Sequence, residues 1–476
     1  MMLRHHESIR VGATLTALVG ALLLGGCMSF IPTYERPAAP VPATYAPELT
    51  PAGTSGSAAA ADIEWQRYFS DARLRRLIEI SLANNRDLRV AILNIEQARG
   101  AYQIKRADEL PSVGAGLTAQ RGAGSSGGLV NTYAVGFQVT GYELDFFGRV
   151  RALSQSALSQ YLATEESRKT VQITLIASVA SAYVGLLADD ELLRVTRDTL
   201  TTRDDSFKLT KLKFDNGAAS ELDFRQAEQL LEGARATLAQ TQRQRALDEN
   251  ALTLLLGQAR PADLPAGLPL ASQQVSTELP AGLPSELLTR RPDVRAAEQQ
   301  LLAANANIGA ARAAFFPRIS LTANAGTAST ELGNLFKSGS FALTGTATLL
   351  QPIFDAGRNQ ANLDVAKVNK DIAIAQYEKA IQTAFREVSD SLAGRATLGE
   401  QLRAQTAQSN AAQVSFRLAD LRYRNGAASY LDVLDAQRSL FTAQQALVQV
   451  QALQAQNLMT LYKVLGGGWS EPVKTN

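Results

Sequence analysis

The sequence predicts a mixed α+β membrane protein built from one unit used twice, each copy giving two strands and a long helical hairpin. Three observations predict it. Residues 206–231 and 415–440 agree at 13 of 26 positions, including Asn-Gly-Ala-Ala-Ser and Leu-Asp. Four segments of roughly ten residues alternate polar and apolar side chains, the length at which a tilted strand crosses a bilayer. Two stretches, 148–213 and 357–424, contain no proline. At about 1.5 Å per residue, each would make a helix of about 100 Å.

The elements follow in chain order. Residues 1–26 read as an export signal: Arg4 and Arg10, then an uncharged apolar run over 11–24 that is too short for a comfortable span. The run ends in Leu24-Gly25-Gly26-Cys27, an order that resembles a bacterial lipobox. The resemblance implies cleavage before Cys27 and a covalent lipid there, N-palmitoyl and S-diacylglycerol. Met28 rather than Asp follows, so no inner-membrane retention signal is apparent. Residues 27–62 form the lipidated leader, where Pro32, Pro37, Pro40, Pro42, Pro47 and Pro51 favour an extended path along a surface. Order is expected from Trp65, with a short helix through Leu74, Leu77 and Ile78.

Residues 63–256 carry the first helix–hairpin–helix repeat, with strands at about 112–120 and 132–144. A proline-rich equatorial linker covers 257–290. Residues 291–465 carry the second repeat, with strands at about 318–327 and 340–350, and 466–476 form a tail. The copies align at an offset of 209 residues through the Asn-Gly-Ala-Ala-Ser run and through Gly148-Arg149 with Gly357-Arg358. In each copy a first helix is stopped by a proline, Pro111 or Pro317. Tyr133, Val135, Phe137 and Val139 lie on one strand face, whereas Arg318, Ser320, Thr322 and Asn324 form a polar one. Ile381, Phe385, Val388 and Leu392 keep a 4-3-4 spacing along the second long helix, as in a coiled-coil seam.

Composition excludes several kinds of chemistry. Cys27 is the one cysteine, so no disulfide is expected. Both histidines, His5 and His6, fall in the signal, which takes the commonest general base and metal ligand out of the mature chain. There is no P-loop, Gly-x-Ser-x-Gly or dinucleotide fingerprint. Neither catalysis, a metal nor a cofactor beyond the lipid is expected. A formal charge of +2 argues against a nucleic-acid partner.

Four strands cannot close a barrel, and an open sheet edge is not tolerated in lipid. Either several chains pool their strands, eight from a dimer or twelve from a trimer, or the strands stay out of the membrane. The second option makes the chain a periplasmic coiled-coil scaffold lipoprotein.

The duplicated plan, the segment Arg291-Pro292-Asp293-Val294-Arg295 and the run from Asn425 to Ala436 resemble the TolC superfamily of outer-membrane efflux channels. With the lipobox, the chain is most similar to the OprM-like (NodT-type) lipoprotein branch. The resemblance implies a homotrimeric 12-stranded outer-membrane β-barrel, four strands per chain, continuous with a long periplasmic α-helical barrel. It also implies a periplasmic adaptor (a membrane fusion protein) and an inner-membrane pump, commonly of the proton-driven RND class. The chain would then be the exit duct of a tripartite efflux pump and catalyse nothing itself.

Candidate site residues cluster at the hairpin turns. Asp432 and Asp435 are three apart and share a helix face. The matching family positions form acidic rings at a closed periplasmic gate, although a first-turn acid also suits a helix N-terminus. The resemblance also implies that Asp223 hydrogen-bonds Tyr423 and holds the tip shut. Ala428 stands where some relatives have an arginine lock; Arg422 and Arg424 lie nearby, and nothing in the sequence assigns either of them that role. Gly217 and Gly426 suit the turns, and the short side chains of Ala218, Ala219, Ala427 and Ala428 leave a shallow groove where an adaptor could dock.

Overall fold

A computed structural model describes residues 29–46, 62–123, 127–273 and 290–469. The lipidation site, the signal, residues 47–61 of the leader, the second half of the linker and most of the tail lie outside the described residues. The elements run α1 (Trp65–Tyr68), α2 (Ala72–Asn84), α3 (Arg86–Ala107), β1 (Val113–Ala123), β2 (Leu129–Glu143), α4 (Arg149–Asp215), α5 (Glu221–Leu256), α6 (Pro292–Ala313), β3 (Arg318–Ser329), β4 (Phe341–Leu350), α7 (Arg358–Arg424) and α8 (Tyr430–Val464). The chain divides into two compact units.

The first unit comprises Met1–Ala38, Asn94–Glu165 and Ala296–Glu378. It holds one antiparallel sheet in the order β1-β2-β3-β4, two strands from each repeat. Gly136 and Gly326 pair where the repeats meet. A Cβ on Gly136 would run into the backbone of Ala325 and Gly326, and one on Gly326 into that of Val135. Two glycines therefore let β2 and β3 approach. The β1–β2 ladder runs further than the sequence suggests, through Arg121↔Asn131, Gly122↔Val130 and Ala123↔Leu129. Extended pairing therefore continues through the segment between the two expected strands. β3 likewise continues past residue 327 to Ser329. The leader binds this unit: Phe30 stacks on Phe316 at 4.6 Å, and Asn305 Nδ2 donates to the Pro32 carbonyl at 2.8 Å. The Arg36 guanidinium meets the buried Glu298 carboxylate at 2.7 and 3.0 Å.

The second unit comprises Ala39–Leu93, Glu166–Arg295 and Lys379–Asn476 and is helical. Its core stacks Tyr68 on Tyr462 at 4.1 Å and buries Leu74, Leu77 and Ile78. The expected short helix is two, α1 and α2, the second opened by Asp71, whose carboxylate accepts from the Arg73 and Leu74 N–H groups. On α7 the seam is Ile381, Ala384, Val388 and Leu392, all buried. Phe385 stands beside it and stacks on Tyr45 of the leader at 5.1 Å. The Arg291-Pro292-Asp293 motif is a structural knot. Arg291 reaches Asp293 at 2.6 Å, Glu387 at 2.8 Å and the Val464 carbonyl at 3.1 Å. One buried guanidinium thus ties the start of α6 to α7 and to the end of α8.

Candidate functional site

The sheet carries the first functional feature. Direct cross-strand partners share a face. Val113 pairs with Val139, Ala115 with Phe137 and Leu117 with Val135. Val139, Phe137 and Val135 pair with Ala323, Ala325 and Thr327, and beyond a bulge Tyr142 pairs with Leu321. Ile319, Ala325 and Thr327 pair with Leu349, Leu343 and Phe341. One apolar face therefore runs unbroken across all four strands. It is exposed: Val113, Leu117, Phe137, Phe341, Leu343 and Leu349 each show 62–72% of their surface. The opposite face carries Gln138, Asn324, Thr322, Ser320 and Arg318 with Thr344, Thr346 and Thr348. Soluble monomers rarely leave a contiguous apolar surface of this kind uncovered. β1 and β4 each pair on one side only.

The hairpin turns of the helical unit carry the second feature, and both have the same hydrogen-bonded form. At the end of α4, the Gly217 N–H donates to the Phe214 carbonyl at 2.9 Å and the Ala218 N–H to that of Lys213 at 2.7 Å. At the end of α7, Gly426 donates to Tyr423 at 3.0 Å and Ala427 to Arg422 at 2.9 Å. This pair of bonds closes a helix through one left-handed residue. Both glycines have φ of +72°. A Cβ at either would touch nothing within 4 Å, so conformation alone asks for glycine there.

The return helices open with reciprocal caps. The Asp223 N–H donates to Ser220 Oγ at 3.1 Å, while the Ser220 N–H donates to Asp223 Oδ2 at 3.3 Å. Ser429 and Asp432 repeat the pattern at 3.3 and 3.0 Å. Asn-Gly-Ala-Ala-Ser-x-Leu-Asp is thus a complete stop-and-restart signal, which explains its appearance in both repeats.

The structure sorts the candidate residues. Asp432 lies exposed in its cap, and Asp435 lies exposed 3.6 Å from Arg438. Both aspartates line an open groove of α7 and α8 together with Arg422, Ala428 and Ala436. Asp223 and Tyr423, expected to hydrogen-bond each other, have the following described contacts. The Asp223 carboxylate is taken by the Ser220 cap. Tyr423 instead lies 4.1 Å from the Lys213 ammonium and 5.4 Å from the Tyr430 ring. It packs on a core of Ala227, Tyr430, Val433 and Leu434 that draws on both hairpins. Of the two nearby arginines, Arg422 bonds the Ala427 carbonyl at 3.3 Å and Arg424 pairs with Asp420 at 2.8 Å. Ala218 and Ala427 are exposed, and Ala219 and Ala428 half-buried. Among the described residues no group of three or more His, Cys, Asp or Glu could hold a metal ion.

A model of the outer membrane efflux protein family matches residues 77–258 and again 283–467, once on each repeat. The chain belongs to the outer membrane efflux protein family. Its place is the outer membrane of a Gram-negative cell. Among relatives, the chain is 49% identical over 466 residues to the toluene efflux pump outer membrane protein TtgC of Pseudomonas putida, covering 96% of each. It is equally similar, 49% over 466 residues and 96% of each, to the antibiotic efflux pump outer membrane protein ArpC of Pseudomonas putida. Among solved structures, it is similar to the open state of the Neisseria gonorrhoeae MtrE outer membrane channel. There the TM-score is 0.84 at 42% identity, over 93% of this chain and 98% of that one.

The family fold explains which residues escaped sequence reasoning. The Arg291-Pro292-Asp293 segment was visible, but the partners that make it a knot, Glu387 and the Val464 carbonyl, lie far along the chain. Asp71 is both a cap and a hub, accepting also from the Tyr183 hydroxyl at 3.1 Å, the Leu268 N–H at 2.9 Å and Gln273 Nε2 at 2.7 Å. Its Asp-x-x-Leu start was the one signal available.

Proposed function

We propose that three copies of this chain pool their four-stranded sheets into a 12-stranded barrel and form the passive exit duct of a tripartite efflux pump. The observation that carries this reading is the sheet. Its apolar face is continuous and exposed, its other face is polar, and the outer edges of β1 and β4 have no strand partner among the described residues. Lipid satisfies the first face, a wet lumen the second, and neighbouring copies the edges. A periplasmic scaffold would leave the apolar face without an occupant. The lipid on Cys27 adds an anchor but does not replace the barrel.

In this reading, energy comes from an inner-membrane transporter of the RND class, and a periplasmic adaptor joins it to the turns at Ala218, Ala219, Ala427 and Ala428. The cargo is whatever the pump delivers, which fits two equally similar relatives named for toluene and for antibiotics. Asp432 and Asp435 from three copies would put six carboxylates around one opening. They would favour cations and repel one another, giving an acidic gate.

Native mass spectrometry in detergent tests the assembly. The account expects three copies, in both the wild type and Cys27→Ser. A monomer in both, released into the aqueous fraction once the lipid is removed, would support the scaffold instead.

A further inference from the structure

Inside one chain the two repeats meet along a closed seam. β2 pairs with β3, and beyond the ladder the Leu144 N–H donates to the Ile319 carbonyl at 2.8 Å. Phe147 stacks on Phe316 at 5.0 Å. The Glu143 carboxylate ties the seam by charge, meeting Arg149 and Arg318 at 2.6 Å each. The helices that continue these strands are packed as well. α4, which follows β2, buries Ser156, Ser159 and Ala163 to 3–4% exposure, and α6, which leads into β3, buries Ala310 to 9%.

Duplication places the same two halves of a seam at the outer edges of the chain, and there they stand open. The offset of 209 that aligns Gly148-Arg149 with Gly357-Arg358 carries Leu144 to Ile353 and Asp145 to Phe354. Both are 90% exposed. The same offset carries Ser156, Ser159 and Ala163 to Val365, Val368 and Ile372 on α7, which are 50–59% exposed. The offset of 206 that aligns Leu110-Pro111 with Phe316-Pro317 carries Ala310 to Ile104 on α3 and Ile319 to Val113 on β1. Ile104, Leu110 and Val113 are 65–71% exposed. Small residues that are buried in the chain thus become large apolar ones at its edges, the reverse of what a water-facing surface favours. The charges go too: Glu143, Asp145 and Arg318 correspond to Pro352, Phe354 and Ser112.

We propose that the occupant of these edges is a second copy of this chain, and that the seam between copies repeats the seam between repeats with its ionic ties exchanged for apolar contact. Ile353 and Phe354 of one copy close on Leu110 and Val113 of the next. The α7 face of Val365, Val368 and Ile372 closes on the α3 face that holds Ile104. The contact joins two different surfaces, tail to head, which is the kind that closes rings. It rests on the proposed barrel, in which β4 of one copy lies beside β1 of the next. Salt weakens exposed charge pairs but not apolar burial, so assembly should withstand salt.

Cross-linking of the full-length protein in detergent tests the proposal. In a Cys27→Ser background, the pair Val113→Cys and Ile353→Cys supplies the only thiols. Mild oxidation should link chains into species of two and three times the chain mass on a denaturing gel. Either cysteine alone should give no species above two. Phe354→Ser should raise the share of free chains several-fold, as read by size-exclusion chromatography with light scattering, and so covers a cysteine pair that oxidises poorly. Raising salt from about 0.1 to about 1 M, where charge pairs are screened, should leave the wild-type assembly intact. A wild type of three copies that yields no linked chains and tolerates Phe354→Ser would overturn this seam and leave the duct standing. Dissociation by salt would overturn its apolar character. A wild-type monomer would remove the seam and the duct together.

Discussion

Asp189 on α4 is 6% exposed, and its Oδ2 meets no donor among the described residues. Burial, then the facing Asp248 carboxyl of α5 and the adjacent Asp190, push its pKa up to about 7, against the pull of Arg245. Arg245 is itself held by Asp190 at 2.5 Å and Glu249 at 3.0 Å, so it only partly offsets the two facing acids. The folded state therefore keeps a proton that the unfolded chain releases near its ordinary value of about 4. Stability should fall as pH rises from about 4 to about 7, and level off above that. Asp189→Asn should flatten this slope and raise the melting temperature at about pH 8, as read by circular dichroism across pH. An unchanged slope would mean that Asp189 and Asp248 do not share a proton. Nothing in the sequence marks this pair: Asp189-Asp190 looks like any solvated helix face, and the burial comes from a helix the local pattern does not name. Asp432 was half legible. Its place three residues after Ser429 marks a cap, while its part in a gate depends on other copies.

The turns were legible because their chemistry is local. The glycine, the hydrogen bonds that close the helix, and the Ser–Asp cap all lie within a run of eight residues. The Asp223–Tyr423 link has no such local signal; the contacts described for the Asp223 carboxylate belong to its own Ser220 cap. Strand bounds were blurred for the opposite reason, since glycine, serine and alanine suit a turn and an extended edge equally well. The turns also present small side chains outward, and in the proposed assembly that is where the adaptor sits. Ala218→Trp and Ala427→Trp put bulk on an exposed surface and leave the backbone bonds intact. Each should reduce efflux of a fluorescent dye from cells to the level of a strain lacking the protein, while the oligomer keeps its native mass. Normal efflux in both would place the adaptor elsewhere.

At the scale of the molecule, duplication turned one hairpin into a four-stranded sheet, and the period-two pattern fixed which face is apolar. The sequence could state the need for more strands, because two edges stay open, but not the number of copies that supply them. That number depends on strand tilt and stagger in the closed assembly. The duct itself is tested most directly by single-channel conductance in a planar bilayer, comparing wild type with the Asp432→Ala/Asp435→Ala double variant. The account predicts small, infrequent, cation-selective openings for the wild type, and larger or longer ones once the carboxylates are gone. Absence of conductance from both proteins, each folded and inserted, would contradict it.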